Sequence, residues 1–175
     1  MNAIDLNQNK PKVMKNIAYF MFSALVLMVF LSSCKPSQVD IAKEEEAIKE
    51  VINAETQAWI DKDPVKQKEY FIHDEHQTRV NIQDSVYYIT AGWDKRSTEI
   101  DTVTKYVDWK GVDQFKVEKE FLGIKIMDRT AWVILKETQM MTYNNSPANA
   151  VALIYLVLEK PDKDWKISCF VKSSI

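Results

Sequence analysis

Cysteine, glycine and histidine are scarce in this chain, which has only two, three and two of them among 175 residues. Three scattered glycines cannot form a glycine-rich phosphate-binding loop or a Gly-x-Ser-x-Gly nucleophile elbow. The two histidines, His73 and His76, do not form the His-Glu-x-x-His pattern of zinc proteases. The sequence therefore lacks the local motifs of the common nucleotide-binding and hydrolytic sites.

The first cysteine ends a segment that is typical of exported proteins. Ile17–Leu31 is an apolar run whose one polar residue is Ser23, and Leu31-Ser32-Ser33-Cys34 closes it. Three lysines precede the run: Lys10, Lys12 and Lys15. A basic segment, an apolar segment and small residues at a cleavage point make a secretory signal. Because Leu-Ser-Ser-Cys resembles a lipobox, we predict a lipoprotein signal peptide over residues 1–33 and lipidation of Cys34.

This reading predicts where the protein works. A lipid on Cys34 would anchor it to the periplasmic or cell-surface side of a bacterial envelope, with residues 34–40 as a short tether. The alternative is a short N-terminal anchor helix with an ordinary thiol at Cys34, although 15 residues are few for a membrane span. Met14 is a second plausible start. Cys169 would remain as a single thiol, unable to form an internal disulfide.

The charge balance of the mature part argues against nucleic acid as a partner. Residues 35–175 contain 20 Lys or Arg and 24 Asp or Glu, which gives a net charge of −4. A nucleic-acid-binding domain usually carries a basic patch instead. The length left after the signal suffices for one domain with its own core, which we place at residues 41–175.

The first half of this domain predicts helices and a hairpin. Asp40 is a suitable N-cap for a helix that ends near Lys62, and Asp63-Pro64 is a suitable start for a short second helix. Residues 78–91 are rich in β-branched residues and are interrupted at Gln83-Asp84-Ser85, which predicts a β-hairpin. Trp93, after Gly92, begins a third helical pattern that should end near Gly111.

The second half predicts long antiparallel strands. Apolar residues change phase between Phe121 and Leu122, which indicates a β-bulge near 120–122. We expect strands over 131–143 and 150–158 with a loop at 144–147, and a last strand whose wetter face carries Lys166, Ser168 and Lys172. Residues 150–158 are apolar on both phases, so the second side should be covered, and we expect a homodimer through the sheet face. The alternative is that helices packed in a curled sheet bury part of it.

This order of elements resembles the nuclear transport factor 2-like superfamily and its SnoaL-like members. The residues that carry the resemblance are Ala47–Trp59 with its Asp-containing link, Gly92 before the third helix, and the closing sequence from Leu153 to Ile175. The resemblance implies an α+β fold in which three N-terminal helices pack on a curved antiparallel sheet and enclose a conical pocket. The superfamily contains both enzymes and non-catalytic binding modules, so the fold alone does not decide the function.

The resemblance also suggests which residues face the pocket. Trp59, Tyr70, Phe71 and Trp93 fall where the helices of the family face it, and they could hold a small apolar ligand. The isomerases of the superfamily use a carboxylate base with a tyrosine donor. Candidates for these roles are Asp94 or Glu137 as the base, and Tyr70, Tyr88 or Tyr143 as the donor. Packing in the core, or exposure in the first turn of the third helix for Asp94, is the alternative for each.

The two histidines are the remaining candidates for chemistry. His73 and His76 would share a face of a helix and could bind a metal ion together with a carboxylate, but the sequence shows no third ligand. We therefore predict neither a metal nor a cofactor. The sequence favours a lipid-anchored, non-catalytic module that binds a small, partly apolar molecule. An isomerase, cyclase or dehydratase and a protein-interaction subunit remain the alternatives.

Overall fold

The computed structural model describes residues 40–106 and 112–175, apart from the side chains of residues 105, 106, 113, 114 and 143. The helices are α1 (Ile41–Ile60), α2 (Pro64–Lys68) and α3 (Trp93–Tyr106). The strands are β1 (Thr78–Gln83), β2 (Val86–Ala91), β3 (Val112–Met127), β4 (Thr130–Tyr143), β5 (Ser146–Glu159) and β6 (Lys166–Ser174). The predicted signal peptide, Cys34 and all but the last residue of the tether lie outside the described residues, as does the predicted end of the third helix.

The predicted starts of the first two helices are confirmed. The side chain of Asp40 accepts a hydrogen bond from the backbone N–H of Lys43 at 3.3 Å, and that of Asp63 accepts one from Lys66 at 2.9 Å. Each bond satisfies an N–H that the helix itself leaves without a partner. Pro64 occupies the first turn of α2, where its missing N–H costs nothing.

The strands form one six-stranded sheet in the order β2-β1-β6-β5-β4-β3. Every neighbouring pair is antiparallel except β1 and β6, which run parallel. The predicted α+β class and its curved sheet are confirmed. The parallel pair was not predicted, because it joins the β1–β2 hairpin to the last strand of the chain.

A bulge bends the sheet where the sequence predicted it. The pairing of β3 with β4 shifts between Phe121 and Gly123, so Leu122 is the extra residue. A bulge bends its strand and increases the local twist. It also brings Phe121 and Ile124, which belong to opposite phases of the sequence, to the same inner face against the helices.

The prediction for the last strand is wrong in its second half. The pairing of β5 with β6 shifts between Val157 and Leu158, so that Ile167 pairs with Leu158 while Cys169 pairs with Val157. Residues beyond this shift exchange faces, since side chains alternate along a strand. Lys172, predicted on the wetter face, therefore lies on the inner face.

The core lies between this inner face and the helices. α1 contributes Ile48 and Ile52, α3 contributes Ile100, and the central strands contribute Leu135, Ile154 and Leu158, all of them buried.

The start of α1 is held against the sheet by Glu44, whose carboxylate accepts hydrogen bonds of 2.6 Å from Lys160 Nζ and from Trp165 Nε1. These hydrogen bonds lower the pKa of Glu44.

The other face of the sheet carries large apolar side chains. Trp132 is 58% exposed, and the neighbouring pair Ile134 and Tyr155 are 40% and 44% exposed. We call these three residues the outer patch.

The loop predicted at residues 144–147 is shorter in the structure. Between β4 and β5, a two-residue turn at Asn144 and Asn145, both with positive φ, replaces it.

None of the helices in the described ranges is long and apolar enough to cross a membrane.

Candidate functional site

A cavity of about 120 Å³ lies between α1, α3 and the inner face of the sheet. One part of its wall is apolar and is formed by side chains of the core: Ile52, Ile100, Leu135, Ile154, Leu156 and Ile167. The rest of the wall is polar and charged. This combination of an apolar wall with a few convergent polar groups is typical of small-molecule sites.

Hydrogen bonds between helices form the first polar part of the wall. The Glu55 carboxylate on α1 accepts a hydrogen bond of 2.7 Å from Gln67 Nε2, and Gln67 Oε1 accepts one of 2.7 Å from the hydroxyl of Thr104. All three residues are buried. Gln67 lies on α2 and Thr104 on α3, so this chain of contacts fixes the three helices relative to one another beside the cavity.

Charged residues of three strands form the second part. Glu137 on β4 is 6% exposed, and its Oε1 accepts hydrogen bonds from Lys172 Nζ at 3.0 Å and from Gln139 Nε2 at 2.9 Å. Lys119 pairs with Glu137 across β3 and β4, and its ammonium donates to the Thr56 hydroxyl at 2.6 Å. Burial lowers the pKa of Lys119, and nearby Lys172 lowers it too, whereas the carboxylates of Glu137 and Glu55 oppose this shift.

Two arginines form the third part. Arg96 on α3 is only 2% exposed, and its guanidinium lies over the ring of Phe71, 4.8 Å from the ring centre. Arg79 on β1 lies over Phe170 at 5.5 Å. Both arginines approach the same carboxylate, Glu99, at 3.2 and 3.1 Å respectively. Burial and the neighbouring Arg79 lower the pKa of Arg96 to about 10, so it stays charged at neutral pH.

The arginine cluster leaves buried polar atoms without hydrogen bonds. The Nε and Nη1 atoms of Arg96, the Nε atom of Arg79 and the Oε2 atom of Glu99 are buried and have no hydrogen-bond partner. Arg96 Nη1 and Glu99 Oε2 are close enough for ionic attraction, yet they are not aligned for a hydrogen bond. Unsatisfied buried donors are rare, because each costs the free energy of its lost hydration.

The structure places two of the predicted site residues at the cavity. Trp59 lines it and packs edge to face against Phe115, with ring centres 5.5 Å apart. Glu137 lines it as the carboxylate described above. Of the other predicted pocket residues, Phe71 is core beneath Arg96, Trp93 packs at the edge of the core, and Tyr70 is not part of the wall.

Two of the remaining candidates for catalysis, Asp94 and Tyr88, lie away from the cavity. Asp94 is exposed in the first turn of α3, where a carboxylate faces the positive end of the helix dipole. Tyr88 is 66% exposed on the edge strand β2. The side chain of Tyr143 lies outside the described part of the structure. No tyrosine is among the described residues that line the cavity.

The histidines and Cys169 lie elsewhere. His73 stacks on Trp93 with ring centres 3.8 Å apart, and its Nε2 is 2.8 Å from the carbonyl oxygen of Lys68. His76 lies beside Glu75 at the surface. Within residues 40–106 and 112–175, no three His, Cys, Asp or Glu residues cluster in a way that could hold a metal ion. Burial raises the pKa of Cys169, which disfavours the reactive thiolate.

Most of the charged residues of the wall were not predicted from the sequence. Periodicity could have indicated two of them. Arg96 lies one helical turn before Ile100, and Lys119 lies between Val117 and Phe121 on the same, otherwise apolar phase of β3. A charged residue on an otherwise apolar face is a candidate for a buried site. Arg79 and Lys172 could not be found in this way, because their placement depends on the parallel pairing of β1 with β6.

Comparisons with known proteins find similarity in structure only. The sequence matches no known family profile and no curated protein. A proposed dehydratase of the nuclear transport factor 2-like family from Streptomyces avermitilis has a TM-score of 0.61 at 9% identity, covering 77% of this chain and 97% of that one. A nuclear transport factor 2-like protein of unknown function from Shewanella oneidensis has a TM-score of 0.55 at 17% identity, covering 74% and 98%.

A ketosteroid isomerase-like protein from Erwinia carotovora atroseptica is also similar, with a TM-score of 0.54 at 15% identity over 74% of this chain and 95% of that one. At such low identities the likeness concerns the fold and not the activity. The architecture and the structural relatives agree with the resemblance seen in the sequence: the chain has the nuclear transport factor 2-like fold.

Proposed function

We propose that this protein is a lipid-anchored, extracytoplasmic module that binds a small, partly apolar molecule in its cavity. The observation that carries the proposal is the composition of the wall, in which apolar core residues face buried charged residues. Burying charge is costly, and even a paired buried charge often adds no net stability, so these charges favour a role in binding. A domain that needed only a core would be at least as stable with an apolar filling.

Binding is favoured over catalysis by the state of the carboxylates. Glu55 and Glu137 both accept hydrogen bonds from neighbouring side chains, and no described residue of the wall supplies a tyrosine as an oxyanion donor. The related structures described as a dehydratase and as isomerase-like support a second candidate, an enzyme with Glu137 as its general base. Under that hypothesis Glu137→Gln abolishes turnover of a ligand that it still binds.

The binding proposal predicts ligands that stabilise the protein. A screen of steroids, polyketide-like acids and sugars should contain compounds that raise the melting temperature of the full chain in detergent. A ligand at a hundred times its Kd stabilises by about 2.7 kcal/mol, which corresponds to roughly 8 °C. Val103→Trp should abolish the shift, because the larger side chain would fill the cavity that Val103 lines. Val103 is partly exposed, so the fold should tolerate the larger side chain.

The matched control is Val65→Trp, which introduces the same side chain at an exposed position on α2 away from the cavity wall. It should respond to the ligands like the wild type. The proposal fails when no compound shifts the melting temperature, or when Val103→Trp responds as strongly as the wild type does.

The proposed membrane anchor predicts a lipid on one cysteine. Cells that express the full chain and are fed a clickable fatty acid should yield labelled protein, since a lipobox cysteine receives a thioether-linked lipid. Cys34→Ala should remove the label, whereas Cys169→Ala should retain it. Label that survives in Cys34→Ala, or an unlabelled wild type, would contradict the anchor.

We also propose that two copies pair through the outer patch. Single apolar residues are common on protein surfaces, but adjacent large ones mark an interaction site. Trp132→Glu should convert a dimer to a monomer in light scattering of the detergent-solubilised chain, and Val65→Glu should not. A wild type that stays monomeric at high concentration would rule out the dimer and leave the outer patch to a different protein.

A further inference from the structure

We infer that the ligand of the cavity is a small carboxylate with an apolar body, and that its carboxylate pairs with Arg96. This inference rests on the proposed binding function and names the chemical class of the ligand. It follows from three separate observations on the described part of the chain: a buried arginine that shares its carboxylate partner, an excess of positive charge and an adjoining apolar wall.

The first observation concerns the guanidinium of Arg96. Its five N–H donors point in fixed directions, and a planar carboxylate can accept two of them side by side. Phe71 covers the face of the group and Glu99 is shared with Arg79. Two nitrogen atoms of Arg96 have no hydrogen bond, although one of them, Nη1, lies 3.2 Å from Glu99 Oε2. One shared carboxylate therefore leaves this buried positive charge only partly balanced, and the carboxylate of a ligand in the cavity that Arg96 lines would balance it.

The second observation is the charge balance around the cavity. Four cations line it, namely Arg79, Arg96, Lys119 and Lys172, together with two carboxylates, Glu55 and Glu137. Glu99 adds a third carboxylate next to the arginines. Four cations and three carboxylates leave a net charge of +1, which a ligand with a single negative charge would neutralise. The count includes both carboxylates that raise the pKa of Arg96, those of Glu99 and Glu55.

The third observation is the apolar part of the cavity wall next to Arg96. Ile100 follows Arg96 by one helical turn on α3, and Ile52, Leu156 and Phe170 continue the wall. An inorganic anion would leave these apolar surfaces without a partner. A carboxylate with an attached ring or short hydrocarbon chain would cover them, gaining the free energy of apolar burial.

Matched acid and amide pairs test this inference. Benzoate with benzamide, and butanoate with butanamide, differ in charge but hardly in shape. Titration calorimetry on the full chain in detergent should show that each acid binds at least about tenfold more tightly than its amide. Arg96→Gln should remove at least about tenfold of the affinity for the acid and leave that for the amide unchanged. Arg129→Gln removes an exposed arginine instead and should change neither affinity.

The outcomes separate this inference from the function on which it rests. Equal binding of acid and amide by the wild type would overturn the carboxylate assignment while leaving a binding module. Binding of inorganic phosphate without either organic acid would overturn it as well. If neither these probes nor any compound of the screen binds, both proposals fail. If Arg96→Gln does not fold, the affinities of the wild type for acid and amide still decide whether the ligand is a carboxylate. Arg96→Lys then replaces Arg96→Gln in the titrations.

Discussion

The alternation of side chains along β4 is the constraint on which the rest of the structure depends. Ala131, Val133, Leu135, Glu137 and Gln139 all point to the inner face, since successive residues of a strand point to opposite sides. The first three are buried core residues, of which Leu135 also lines the cavity, and the last two belong to the polar part of its wall. One strand thus carries the boundary between the core and the candidate site.

The neighbouring strands extend this boundary across the sheet. In β3 the bulge at Leu122 keeps both Lys119 and Ile124 on the inner face, and in β6 the shift near Ser168 brings Lys172 there. Irregular pairing therefore determines which charges reach the cavity. The helices close it from the other side with the Glu55–Gln67–Thr104 contacts, which place buried polar groups where an apolar core would pack more simply.

Local features could be predicted from the sequence because their physical causes are local. The caps at Asp40 and Asp63 and the bulge near Leu122 depend on residues a few positions apart, and all were found. The cavity charges were found only in part. Glu137 continues a recognisable apolar strand, whereas Lys172 changes face at a bulge that no residue pattern revealed. Arg79 reaches the site through pairing between strands that are far apart in the chain.

The central claim is that the charges of the wall serve the cavity and not the stability of the fold. Chemical unfolding of the Glu137→Leu/Lys172→Met double variant tests it most directly. Glu137→Leu alone leaves Lys172 without its carboxylate and should cost about 3 kcal/mol, and Lys172→Met alone leaves Glu137 with only Lys119 nearby and should cost less; removing both should leave the free energy of unfolding at or above that of the wild type. A double variant as unstable as the single variants would contradict the claim, because the ion pair would then be required for folding.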